Sequence, residues 1–99
     1  NEACQTGEAK FHVAGDGSGL FVMHSPAGTR QFTDPAEAIE AAMTRARQAA
    51  TDAVLAMGAV RPQVRMLIRK QLLPNATSDA GLLEAVVTAE AVGRPNGAQ

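Results

Sequence analysis

DPAEAIEAAMTRARQAATDAVLAMG, residues 34–58, reads as one helix from cap to stop. Asp34 has a side chain able to accept from the free N–H groups of a first helical turn. Pro35 suits the first helical position, and Glu37 stands where a capping-box partner belongs. Both acids favour the positive end of the helix dipole. Gly58 tolerates the left-handed conformation that ends a helix, so the run predicts a helix to Met57. Ile39, Ala42, Met43, Ala46, Ala50, Ala53, Val54 and Met57 recur at helical spacing and form one stripe. Glu40, Arg47, Gln48, Thr51 and Asp52 lie off it. A stripe built mostly of alanine seats a helix close to what it covers, and a sheet of larger side chains is the expected partner.

Both flanks supply that sheet. Lys10 to Ala14 alternates, with Phe11 and Val13 on one side and Lys10 and His12 on the other, as a half-buried strand does. Gly15-Asp16-Gly17-Ser18-Gly19 is a reversal, and Leu20 to Ser25 is a second strand with Phe21 and Met23 inward. A reversal about Gly17 sets Phe11 opposite Met23 and leaves His12 and His24 as diagonal neighbours on the outer face. Ser25-Pro26-Ala27-Gly28 is a further turn, and Arg30-Gln31-Phe32 reads as a brief extension of the sheet. After the helix, Pro62 to Leu73 and Gly81 to Val92 alternate again. In the last strand Leu83, Ala85, Val87, Ala89 and Ala91 face one way; Leu82, Glu84, Val86, Thr88 and Glu90 face the other. The prediction is an α+β domain ordered β-β-α-β-β, with one long Ala-rich helix packed on a small antiparallel sheet. The domain occupies residues 10–92, between a flexible segment at 1–9 and a disordered tail at 93–99.

Composition narrows the function classes. The 99 residues suffice for one small domain. Of the apolar residues 20 are alanine, which leaves only 24 Val, Leu, Ile, Met and Phe to fill a core. The net charge is −1 and the chain has no Trp or Tyr. A nucleic-acid binder wants a basic surface and stacking aromatics, so nucleic acid is not an expected partner. Cys4 is a lone cysteine, which fits no disulfide framework. No apolar run approaches the length of a membrane span, and Asn1 to Lys10 does not read as a targeting peptide. These features predict a cytoplasmic protein, and the Ala/Arg/Gly-rich composition suits a bacterial genome. Asn75-Ala76-Thr77 forms a glycosylation triplet in an expected loop.

Candidate sites are few. The Gly15–Gly19 run lacks the following helix that a phosphate loop requires, and reads as a hairpin turn. His12 and His24 share a face and are candidate metal ligands, needing a further ligand from Cys4 or a partner chain. Arg61, Arg65, Arg69 and Lys70 form a basic stripe; Glu84 and Glu90 on the next strand can pair with it, and otherwise it offers an anion or acidic-partner surface. Ser18, Ser25, Ser78 and Cys4 lack any nucleophile context, so no catalytic residue is assigned. Leu20, Val22, Leu67, Leu82 and Val86 interrupt the outer face with apolar side chains. Burial of that face against a second copy or another subunit is the reading they support.

Glu37-Ala38-Ile39, the alanine-spaced turns to Gly58-Ala59, Val64, and Ala91-Val92-Gly93 resemble the C-terminal α+β region of the hydantoinase A/oxoprolinase family, over about residues 20 to 95. The resemblance implies a detached module, because that family's nucleotide-binding core and catalytic residues would lie outside this chain. The strand-helix-strand-strand part is also similar in outline to dodecins, small flavin-binding oligomers. Those stack an aromatic on the flavin, and the chain has no Trp or Tyr. The expectation is a non-catalytic subunit or interaction module that forms a homo-oligomer or docks on a larger protein. The alternative is a small-ligand or cofactor-binding oligomer.

Overall fold

A computed structural model describes residues 4–95. Three strands come first, β1 (Gln5–Gly15), β2 (Phe21–Ser25) and β3 (Gly28–Phe32), followed by the helix α1 (Pro35–Ala56). β4 (Ala59–Leu72), a short 3-10 turn at Asp79–Gly81 and β5 (Leu82–Pro95) complete the order. All strand pairs are antiparallel, in one five-stranded sheet with the spatial order β3-β2-β1-β5-β4. This is the predicted α+β architecture, one long Ala-rich helix on an antiparallel sheet. The brief extension at Arg30–Phe32 is a strand in its own right. Its Phe32 lies opposite Phe21, and Arg30 stacks on the Phe32 ring at 5.5 Å.

The helix is built as its caps dictate. Asp34 accepts from the Ala36 N–H at 3.0 Å, a cap contributing about 1 kcal/mol. Glu37 makes no reciprocal capping bond among the described residues. At the far end the Gly58 N–H donates to the Leu55 carbonyl at 2.9 Å, and Gly58 turns at φ +88°. Ala38, Ile39, Ala42, Ala46, Ala50 and Val54 are buried, whereas Met57 is 52% exposed. The predicted stripe is therefore buried only as far as Val54, and Met57 is the cap residue that follows the last helical residue, Ala56.

The surface beneath α1 differs from the expected layer of larger side chains. Under the C-terminal half of the helix the sheet is itself small. A Cβ added to Gly7 would lie 2.8 Å from the Ala50 carbonyl oxygen and 2.9 Å from the Val54 nitrogen. Gly7 pairs with Ala91, and Ala89 and Ala91 on β5 are fully buried. Larger side chains, Phe11, Val13, Met23, Val87 and Ile39, fill the other part of the core.

Three boundaries and one register differ from expectation. Residues 5–9, assigned to the flexible lead-in, are strand, because each has a β5 partner from Gln5↔Gly93 to Ala9↔Ala89. Residues 93–95, assigned to the tail, belong to β5, with Gly93 paired to Gln5 on β1 and Arg94 and Pro95 paired to Val60 and Ala59 on β4. Residues 1–3 and 96–99 lie outside the described part. β4 begins at Ala59, ahead of Pro62, and absorbs an extra residue between Val60 and Gln63, where Arg61 takes φ +53°. The first hairpin turns about Ser18, with Val13 opposite Met23 and His12 directly opposite His24. Asp16 and Leu20 close it with a backbone bond of 3.0 Å.

That turn is held by Asp16, whose carboxylate accepts from the Ser18 hydroxyl at 2.7 Å, the Ser18 N–H at 2.8 Å and the Leu20 N–H at 3.3 Å. The Ser18 hydroxyl, then the Ser18 N–H, holds this carboxyl below its ordinary value of 3.8. A folded-state pKa below the unfolded one stabilises the turn above that value, and the contribution is lost as the pH falls through the lower one. The amide proton shifts of Ser18 and Leu20 are expected to titrate together with a midpoint under 3.8. A midpoint at or above it would mean that the carboxylate does not hold the turn.

Candidate functional site

The helix covers one face of the sheet. Its 22 residues span about 33 Å, against about 46 Å for each 14-residue strand. The opposite face has no covering element among the described residues. Its side chains follow from the strand registers. One row runs Gln31, Val22, Ala14, Glu84 and Gln71 across the five strands; the next runs Thr29, His24, His12, Val86 and Arg69. Beyond them lie Lys10, Thr88 and Leu67, then Glu8, Glu90 and Arg65.

The five predicted interface residues fare unequally. Val22 and Val86 are half-buried on this face, and Leu67 is 59% exposed on it. Leu20 is half-buried and sits in the turn just before β2. Leu82 is a correction, since it is 4% exposed and part of the core. Gln71 pairs with Glu84 but Leu72 pairs with Leu82, so Leu83 is an extra residue that reverses the alternation. Sequence alternation alone carries no sign of such a bulge. The apolar residues left on the face are joined by Ala14. Ala14 lies opposite Val22 and diagonal to Val86, which in turn is diagonal to Leu67. The result is an oblique apolar stripe at adjacent register positions across β2, β1, β5 and β4.

Polar groups flank the stripe. Arg65 donates to Glu90 at 3.0 Å across β4 and β5, as the predicted ladder requires. Lys70 turns to the helix side instead and pairs with Asp79 at 3.0 Å. Arg61 and Arg69 make no salt bridge among the described residues. His12 Nδ1 lies 3.8 Å from a Glu84 oxygen, and both side chains are half exposed. His12 and His24 are adjacent, but no group of three or more His, Cys, Asp or Glu among the described residues is placed to hold a metal ion. Cys4 is exposed and unpaired. An open depression of about 430 Å³ is lined by Glu8, Arg65, Met66, Leu67, Thr88 and Glu90. Among the described residues no polar or charged side chain is buried, and no helix is long and apolar enough to cross a membrane.

The Gly15–Gly19 run leads into β2, so its N–H groups meet no helix N-terminus and it serves as a hairpin turn. The architecture defines a two-layer α+β domain whose sheet is covered on one side. Comparison with protein families, with curated proteins and with solved structures finds no match to this chain.

Proposed function

We propose that this chain is a non-catalytic association module that works through the sheet face opposite α1, packing it on a second copy or on a larger protein. One observation carries the reading. A helix of 22 residues covers a single face, while the other presents the stripe Val22, Ala14, Val86 and Leu67 with Leu67 59% exposed. A solvated antiparallel sheet tolerates scattered apolar residues, but four at neighbouring register positions on four adjacent strands form a patch. The charges beside it, Glu8, Glu90, Arg65 and Lys10, are of both signs, which suits a polar rim around an apolar strip.

Native mass spectrometry and sedimentation at about ten micromolar test this, a concentration at which specific dimers of ordinary affinity are populated. The expected mass is a multiple of 10.3 kDa. Leu67→Glu with Val86→Glu is expected to shift it to the single chain, since buried unpaired carboxylates are strongly unfavourable at an interface. A wild-type mass of one chain overturns self-association through this face. An oligomer unmoved by the double substitution places the contact elsewhere.

The second reading, a small-ligand or cofactor-binding oligomer, is favoured by the depression of about 430 Å³ on the same face. A facing copy would roof it and make it a closed site. Native spectra recorded on protein from its source would then carry a constant added mass.

A further inference from the structure

We infer that the outer edge of β4, which has no neighbouring strand among the described residues, accepts one additional strand from a partner protein, and that the partner strand carries acidic residues opposite Arg65 and Arg69 with apolar residues between them. The inference deepens the association reading by naming an occupant for one edge of the same sheet.

The two edges of the sheet are unlike. β3 has 5 residues, and β4 has 14. A long edge strand presents a row of N–H and C=O groups that another chain can pair with. The bulge at Arg61 and Pro62 blocks one end, because Pro62 has no N–H and Arg61 takes φ +53°. Residues 63–71 pair regularly with β5 as far as the register shift between Gln71 and Leu72, a run of about 30 Å, ample for an added strand.

The side chains on that run prescribe its partner. On the helix side Val64, Met66 and Ile68 are only half-buried, because α1 lies mainly over β1 and β5. A strand laid along β4 would cover their outer flanks with its own alternate residues. On the open side Arg65, Leu67 and Arg69 follow in order, and β4 contains four basic residues and no Asp or Glu. Lys70 is held by Asp79, and Glu90 meets one side of Arg65, whose side chain is still 87% exposed. Arg69 has no salt-bridge partner among the described residues.

Charged side chains on an edge commonly guard it against pairing. Here the guard has one sign. A second β4 would bring four more basic residues to an edge without an acid, whereas a strand with two carboxylates four residues apart relieves it. The same charges thus reject a copy and select an acidic partner. Main-chain bonds supply affinity and the alternating side chains supply specificity, as in strand addition generally.

The test titrates the ¹⁵N-labelled full chain with the synthetic peptide Ser-Thr-Glu-Val-Val-Ile-Glu-Val-Ser and with its twin carrying Lys in place of both Glu. Amide shifts confined to residues 63–72 and their β5 neighbours are expected with the acidic peptide. The Lys twin is expected to bind roughly tenfold more weakly, as two cross-strand pairs change from attractive to repulsive. Arg65→Glu with Arg69→Glu is expected to reverse the preference, and the comparison of peptides on the wild-type chain does not depend on that variant folding. Equal binding of both peptides, binding of neither, or dimers formed through β4 overturns the inference. Peptide binding to a wild-type chain that remains monomeric retains this inference and rejects self-association through the open face. A homo-oligomer that ignores the peptide does the reverse.

Discussion

Gly7→Leu is expected to unfold the domain or to remove about 3 kcal/mol or more of its stability, the upper end of what overpacking costs. The obstacle at Gly7 is backbone. A Cβ there would meet the Ala50 carbonyl oxygen at 2.8 Å and the Val54 nitrogen at 2.9 Å, with the Ala53 Cβ at 3.0 Å. A clashing side chain can rotate aside, but a helix backbone can only move as a body, and moving it opens the Ala46 and Ala50 contacts. Gly7 is also in mid-strand, where glycine itself costs about 0.5–1 kcal/mol relative to alanine. If propensity were the larger effect, Gly7→Ala would stabilise. The sub-3 Å contacts predict the opposite sign, a loss of about 1–3 kcal/mol for Gly7→Ala. Gly15 is the control, since a Cβ there meets its nearest atom at 3.4 Å. Gly15→Ala is expected to be neutral or mildly stabilising. Urea unfolding of the three variants measures this. A Gly7→Leu loss below 1 kcal/mol would mean that α1 does not seat on β1 at this point.

Phe11→Ala is expected to cost about 3–5 kcal/mol, the range for removing a buried aromatic. A domain of this length has about 5–15 kcal/mol in total, so the variant is left marginal or unfolded at 37 °C. The reason lies in how little large apolar volume the core contains. Among the described residues eight of the fifteen buried hydrophobic side chains are alanine, and Phe11 is the one buried aromatic, at 5% exposure. The neighbours are poorly able to refill the space, because Val87 opposite it on β5 is a fully buried branched residue and Val13 is likewise fixed. Phe11→Leu, which keeps most of the volume, is expected to cost about 1 kcal/mol. The half-buried Phe21 and Phe32 serve as comparison, with smaller losses on truncation. Equal losses at all three positions in thermal unfolding would show that the core is not concentrated around Phe11.

These two positions mark what residue patterns convey. Asp34-Pro35 and Gly58 state both ends of α1 locally, through caps that depend only on neighbouring residues. Phe11, Val13 and Met23 state their inward direction through alternation. Gly7 states nothing by itself. In a polar run ahead of the first apolar alternation it resembles a flexible lead-in, and its role depends on Ala50 and Val54, more than forty positions away. The candidate surface divides in the same way. The Arg65–Glu90 pair and the outward direction of Val22, Val86 and Leu67 follow from strand periodicity. Leu82 misled because the bulge at Leu83 is a property of two paired strands.

Local chemistry therefore determined the helix, its caps, the alternating strands and the α+β class, since each is an interaction among residues a few positions apart. The sheet order β3-β2-β1-β5-β4 came from elsewhere. It joins the first strand to the last along ten paired positions, Gln5↔Gly93 to Ala14↔Glu84, and places β4 at an edge. Pairing of distant strands and the close approach of a helix to a glycine depend on which surfaces meet when the chain collapses. No window of sequence contains both halves of such a contact, and the bare face and free edge on which the proposals rest exist only once the strands have assembled.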